Sequence, residues 1–312
     1  MIRSGASPRP AAMTHSELAR WLAKLACDAS VEMTPGDEAL VPELADELPA
    51  GAAVCIAHPP TATLDDVVRA ALRVQASGLC ACPHIVARRI EGPGALESAC
   101  ARLGAAGVMR ALVVAGDDAA SAGPYASSLD VLRAELLQRH GLTRIGVAGH
   151  PEGHRAIGQT VLWRALHDKQ VFARRNGIEL FVVTQFGFDP AALVAWEQCL
   201  PEHGIRLPVR VGMSGPASLS QLIAYAMQCG VGASLRGALQ SMAAMRNIAG
   251  LATSPDQMLV RVAEHAAGGT SQIAGVHFYS FGGALATARW LRAVAEGRFE
   301  IGPAGDVFSI RS

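Results

Sequence analysis

The chain has 312 residues, half of them hydrophobic and only 17% charged, so it can bury a sizeable core and is not a wholly disordered protein. Its 27 Lys+Arg balance 27 Asp+Glu, which leaves no net field to draw it to nucleic acid or anionic lipid. No apolar run is long enough to span a bilayer.

The opening segment MIRSGASPRPAAMTHSELARW has no apolar h-region. It reads as a loose tail rather than a secretory signal, with Met13 as an alternative start. Residues 1–25 are expected to form this tail and a first helix, and residues 26–312 one catalytic domain. Eight β-branched or apolar runs follow in order: Ala29–Met33, Ala53–His58, Ala81–Ala87, Ala111–Gly116, Arg144–Ala148, Leu180–Gln185, Val209–Met213 and Gly275–Tyr279. Helical patterns separate them, as a parallel sheet with crossover helices requires. Eight such units predict a single-domain α/β protein, a closed (β/α)8 TIM barrel. An open doubly wound sheet is the alternative, but no G-x-G-x-x-G follows the first strand.

The punctuation between strands supports this reading. Ser127 and Ser128 can cap a helix with Leu129, Leu132 and Leu136 as its inward stripe, ended by Gly141. Ser254-Pro255-Asp256-Gln257 reads as a capping box with proline at the first helical position. The seventh crossover spans roughly 60 residues and should hold more than one helix.

Seven cysteines, at positions 27, 55, 80, 82, 100, 199 and 229, are odd in number and scattered through apolar runs. That suits a reducing cytoplasm better than a disulfide framework. Cys80 and Cys82 share a face of an extended segment, yet no second pair completes a zinc site. They are expected to be small core residues.

Polar residues collect where the strands end: Glu32, His58, His84, Asp117, His150 and Gln185. In a barrel these ends converge on the mouth that carries the chemistry. His150 and His154 have the spacing of a metal pair, but Pro151 makes a turn there and no third ligand has a claim, so no metal is expected.

With these motifs in place, the chain resembles the methylenetetrahydrofolate reductase family from about Ser30 to Tyr279. The resemblance rests on Ser30-Val31-Glu32, Pro83-His84, Ala115-Gly116-Asp117, Pro124-Tyr125-Ala126-Ser127, His150-Pro151-Glu152-Gly153-His154, Thr184-Gln185-Phe186-Gly187-Phe188-Asp189, Gln221 with Tyr225, and His277-Phe278-Tyr279. It implies a flavin-dependent enzyme interconverting 5,10-methylenetetrahydrofolate and 5-methyltetrahydrofolate. Hydride would pass through FAD, from or to NAD(P)H or the methyl-folate, because no side chain donates hydride. Glu32 is the candidate acid that opens the methylene bridge, which requires burial to raise its pKa toward neutrality. Asp117 would stabilise the cationic iminium and orient the pterin. Gln185 supplies both donor and acceptor for the pterin edge. Gln221 and Tyr225, one helical turn apart, would complete the substrate site. FAD would be held by His84, Ala115, Gly116, Asp117, Tyr125, Ala126, His150, His154 and Lys169. The family also implies a cytoplasmic enzyme that can form a homo-oligomer.

Departures from the family pattern point to a specialised member, for instance one oxidising methyl-tetrahydrofolate in one-carbon catabolism. Ala57 stands where a flavin-contacting Thr is usual, His150 where Tyr is common, and Gly283 where many members carry a folate-contacting Arg. The spacing along Leu162-Trp163-Arg164-Ala165-Leu166-His167-Asp168-Lys169 is altered as well. Two other classes compete. Gly282-Gly283 could open a phosphate-binding helix in a barrel lyase or isomerase, and a non-catalytic folate- or flavin-binding protein would keep the pocket but need no acid at position 32.

Overall fold

Alternation along the strands decides the architecture. Successive side chains of a strand point to opposite faces. Here both faces are apolar for most of their length, which suits a sheet covered by helices outside and packed on itself inside. The computed structural model of the chain describes residues 13–187, 189–218, 252–253 and 255–311.

Eight parallel strands close a barrel in the order β1-β8-β7-β6-β5-β4-β3-β2: β1 Ser30–Met33, β2 Ala53–Ile56, β3 Cys80–Val86, β4 Arg110–Val114, β5 Arg144–Gly149, β6 Glu179–Thr184, β7 Val209–Ser214 and β8 Ile273–Tyr279. All eight expected strands are present and closed into a ring, which removes the open-sheet alternative. The second strand stops at Ile56 and the sixth at Thr184, so His58 and Gln185 lie just past the ladder rather than in it. The Gln185 amide still donates to the Gly149 carbonyl at 2.9 Å.

The outward-facing residues, such as Val31, Met33, Val54, Ile56, Ile85, Val113, Val147, Val182 and Phe278, share one buried core with the helices. The inward set forms a separate small cluster of Cys55, Cys82, Leu112 and Val183, with Val114 and Phe181 against it. Glycines admit the larger lumen residues. A Cβ at Gly146 would lie 2.9 Å from both Leu112 and Phe181.

The outer layer contains α1 His15–Cys27, α2 Val41–Glu47, α3 Leu64–Ala76, α4 Pro93–Ala105, α5 Ser128–Arg133, α6 Leu136–Arg139, α7 Gln159–Arg175, α8 Pro190–Cys199, α9 Asp256–Ala266 and α10 Ala284–Ala295. Thr14 and Glu17 make a reciprocal capping box for α1, whose Leu18, Leu22 and Leu25 join the common core. Ser127 caps α5 through Asp130. The helix expected from Ser127 to Gly141 is nevertheless two, because Glu135 adopts φ 57. The break lets the adjacent Leu136 and Leu137 both be buried, at 6% and 0% exposure, which one straight amphipathic helix does not favour. Pro255 occupies the N-cap position of α9, one residue earlier than expected, and Ser254 lies outside the described residues. Within the seventh crossover, Ala217–Ser218 pairs antiparallel with Ala252–Thr253. After α10, Phe299–Ile301 and Phe308–Ile310 form a hairpin whose Phe308 packs on Trp290. Among the described residues no helix is long and apolar enough to cross a membrane.

Candidate active site

Strand parity turns Val31 and Met33 into the helix layer and Ser30 and Glu32 into the lumen. The Glu32 carboxylate is 16% exposed, with His84 Nε2 at 3.6 Å and His277 Nε2 at 3.9 Å from its Oε2. His277 is fully buried, and its Nδ1 lies 2.9 Å from Ser30 Oγ. Both Nε2 atoms are buried without a hydrogen-bond partner among the described residues, and they stand slightly beyond hydrogen-bond reach of the carboxylate. Contacts of this length commonly tighten when a ligand enters an active site. Ser280 Oγ donates to the Glu32 carbonyl at 2.6 Å and fixes the end of β1. Burial holds the His84 pKa down at about 4, against the opposing pull of Glu32, so this imidazole is neutral near pH 7.

Beside the carboxylate, on the next two strands, lie two thiols. Glu32, Cys55 and Cys82 are register partners across β1, β2 and β3. Its hydrogen bond to Cys82, with burial, pushes the Cys55 thiol up. The sequence marked Cys80 and Cys82 as the neighbouring pair, but the pairing that forms is Cys55 with Cys82, because it runs across strands rather than along one.

A second group surrounds Asp117 on the loop after β4. Gly116 has φ +92, and a Cβ there would lie 2.6 Å from Val86 Cγ1, so only glycine fits. Of the two aspartates that follow, Asp118 is committed to the scaffold: its carboxylate takes Arg89 Nε at 2.9 Å, and its carbonyl takes Arg88 Nη1 at 2.9 Å. Asp117 stays 61% exposed, with His154 Nε2 at 3.7 Å. The His154 ring meets His150 edge-on at 5.3 Å. Burial, followed by His154 and Lys169, lowers the His150 pKa to about 4. Lys169 of α7 is 9% exposed and has no hydrogen bond or ion pair among the described residues. Burial alone brings its pKa down to about 8.

The third wall comes from β6, β7 and β8. Gln185 Nε2 donates to the Gly153 carbonyl at 3.4 Å, which joins the β6 end to the His154 loop. Tyr279 reaches over β7 to donate its hydroxyl to the Thr184 carbonyl at 3.0 Å. It can do so because position 212 is glycine. A Cβ there would run into that carbonyl and lie 2.7 Å from the Tyr279 ring. Phe281, at φ 49, lies parallel to Tyr279 and edge-on to Phe186.

Glu32, His84, Asp117, His150, His154 and Gln185 thus occupy one rim, with Ala115 and Gly116 leading into it. Asp117 is linked to Gln185 through the 153–154 backbone, and Glu32 belongs to the deeper His84–His277 group. Tyr125 is a correction. Its side chain is 6% exposed within the common core, and burial and Cys100 raise its pKa, so its ring packs the helix layer rather than facing a cofactor. Ala126 is exposed and accepts Arg88 Nε at its carbonyl. Gln221 and Tyr225 lie outside the described residues. His58 caps its own loop, with Nε2 3.1 Å from the Ala62 carbonyl. The sequence reading gave Ser30, His277, Arg88 and Arg89 no roles of their own. Parity on β1 and β8 could have found the first two, while the arginines act through loop geometry that no local pattern encodes. Among the described residues, no group of three or more His, Cys, Asp or Glu is arranged to hold a metal ion.

No family model matches the chain. Among solved structures, it is similar to a protein from Burkholderia cenocepacia described as a lyase/mutase, at 18% identity over 91% of this chain and 89% of that one, TM-score 0.47. It is similar to dihydropteroate synthase from Thermus thermophilus, at 18% identity over 84% and 90%, TM-score 0.40. D-psicose 3-epimerase from Clostridium cellulolyticum matches at 8% identity over 86% and 97%, TM-score 0.43. At this distance the matches assign no activity to the chain. Its own strand order makes it a (β/α)8 barrel with an ionisable cluster at the C-terminal mouth.

Proposed function

We propose that the chain is an enzyme working by acid–base chemistry at Glu32, and that its reaction is the flavin-dependent interconversion of 5,10-methylenetetrahydrofolate and 5-methyltetrahydrofolate. The observation that carries this reading is the line Ser30–His277–Glu32, which ends in a carboxylate at the bottom of the mouth. Opening a methylene bridge between two nitrogens requires a proton delivered away from bulk water. Glu32 delivers it, and His277, held at Nδ1 by Ser30, faces the carboxylate and orients it. Neutral His84 on the other side confines the carboxyl group without competing for a full positive charge. Asp117 supplies the fixed negative charge that favours a cationic iminium over its neutral precursor. Gln185, anchored to the Gly153 carbonyl, presents its amide oxygen to a pterin N–H.

One feature of the residues present suits FAD: the Lys169 ammonium, near His150 and with no hydrogen bond or ion pair among the described residues, suits an anionic group. When bound, the flavin accepts and donates the hydride, with NAD(P)H or the methyl-folate as its exchange partner. The test is the absorption spectrum of the purified protein, then anaerobic addition of NADH, NADPH and methyl-tetrahydrofolate in turn. A flavin spectrum bleached by at least one of them supports the reading. A colourless protein that FAD does not reconstitute overturns it.

One observation favours a second reading. Glu32 and His84, 3.6 Å apart, form an acid–base pair that needs no redox group, and Gly282 at φ +84 turns the chain directly into α10. A lyase or isomerase acting on a phosphorylated substrate would use both. Turnover of such a substrate by the colourless protein, abolished in Glu32→Gln, would establish it.

A further inference from the structure

We infer that Arg89 and Asp118 form a positioning clamp that holds Asp117 at the mouth. The inference rests on the reading in which Asp117 faces the substrate. Asp117 is fixed from both sides. Before it, Gly116 turns at φ +92 with no room for a side chain. After it, Asp118 is bound through both its carboxylate and its carbonyl, by Arg89 and Arg88 respectively. Among the described residues Asp117 makes no hydrogen bond and its one ion-pair contact is His154, at 3.7 Å, so its direction is set by its neighbours in the chain rather than by partners of its own.

Arg89 does more than pair with Asp118. Its Nη1 donates to the His58 carbonyl beyond β2, while Nε holds Asp118 beyond β4. One guanidinium, 19% exposed, therefore ties three consecutive strand ends together, and its planar fork suits two acceptors at once. Arg88 adds the backbone share. Its N–H donates to the Ala115 carbonyl, its carbonyl accepts from Ala122, and its Nε donates to the Ala126 carbonyl. The 115–126 loop is thereby fastened at both ends and in the middle. A lysine at position 89 keeps the charge but cannot make both bonds in the same plane. Partly buried Arg–Asp pairs of this kind often add little net stability, so the clamp is expected to show itself more in function than in melting temperature.

The test is a double-mutant cycle on turnover with methyl-tetrahydrofolate. Arg89→Gln and Asp118→Asn should each lower kcat about 100-fold, the order expected for an ångström of misplacement, and Arg89→Lys should recover only part of the loss. In an Asp117→Asn background, Arg89→Gln should change kcat by less than about threefold, because the two act through one group. Multiplicative losses in the double variant would overturn the clamp and make Arg89 a merely structural residue. Amide exchange of the 115–126 loop provides a readout independent of turnover. Arg89→Gln should speed exchange there about tenfold with the remaining barrel unchanged, and unchanged protection also overturns the clamp. If the wild-type protein shows no turnover while exchange responds as expected, the folate reading fails and the clamp stands.

Discussion

Ser30 Oγ lies 2.9 Å from Nδ1 of His277, a contact between the first strand and the last across 247 positions of sequence. It exists only because the barrel closes β1 onto β8, with Ser30 and His277 as register partners. The proposed positioning of Glu32 therefore depends on ring closure itself. Glu32→Gln should lower turnover by about 1,000-fold or more and Ser30→Ala by about tenfold to 100-fold, both with the fold intact. Steady-state kinetics alongside circular dichroism checks this. Equal activity of Ser30→Ala and wild type would remove serine from the line.

Stability should fall as the medium is acidified. Burial holds His84 and His150 at about 4, below the roughly 6.5 of an unfolded chain. Between those values the unfolded state binds more protons, so stability rises with pH across that window. The contribution is complete above about pH 6.5 and lost as pH falls toward 4, on the order of 3 kcal/mol for each group. Thermal melts from pH 4.5 to 7.5 should show the slope, and His150→Phe should flatten it.

Lys169 bears a cost in the empty protein. Its ammonium is 9% exposed and its pKa is drawn down to about 8 by burial, so at pH 7 it is charged in an environment that disfavours charge. Lys169→Met should therefore raise the stability of the ligand-free protein by about 1–3 kcal/mol and, on the proposed flavin reading, weaken FAD binding at least tenfold. Calorimetry and flavin titration read the two effects separately. A destabilised variant with unchanged flavin affinity would contradict both.

Gly212 should be irreplaceable. The strand has no slack under the Tyr279–Thr184 hydrogen bond, and forcing a methyl group against a backbone carbonyl costs about 3 kcal/mol or more. Gly212→Ala should melt at a clearly lower temperature than Gly146→Ala, where the crowded atoms are the ends of the Leu112 and Phe181 side chains and can shift. Equal melting temperatures would show that β7 can move.

The eight strands were legible because each is a short apolar run with its own turn chemistry, and because period-two alternation is a local property. The rim residues Glu32, His84, Asp117 and Gln185 were legible for the same reason, since strand ends can be read directly once the barrel is assumed. What could not be read is what depends on closure or on loop packing. His277 is invisible as a partner of Glu32 until β8 meets β1, and Asp118 looks equivalent to Asp117 until Arg89 selects one of them. Tyr125 failed in the opposite direction. A tyrosine beside a motif suggests a ligand contact, but the loop turns its ring inward, where apolar burial wins over the position of its backbone.

Because inward and outward positions alternate along β1, the packing of the helix layer and the chemistry of the lumen share a single counting frame. Removing one residue between Ala29 and Glu32 would turn the carboxylate into the helix layer and carry Met33 into its place in the lumen, forfeiting core and reactivity together. Insertions beyond the strand ends leave that frame untouched, so changes of length there should be tolerated without any change in the barrel's count.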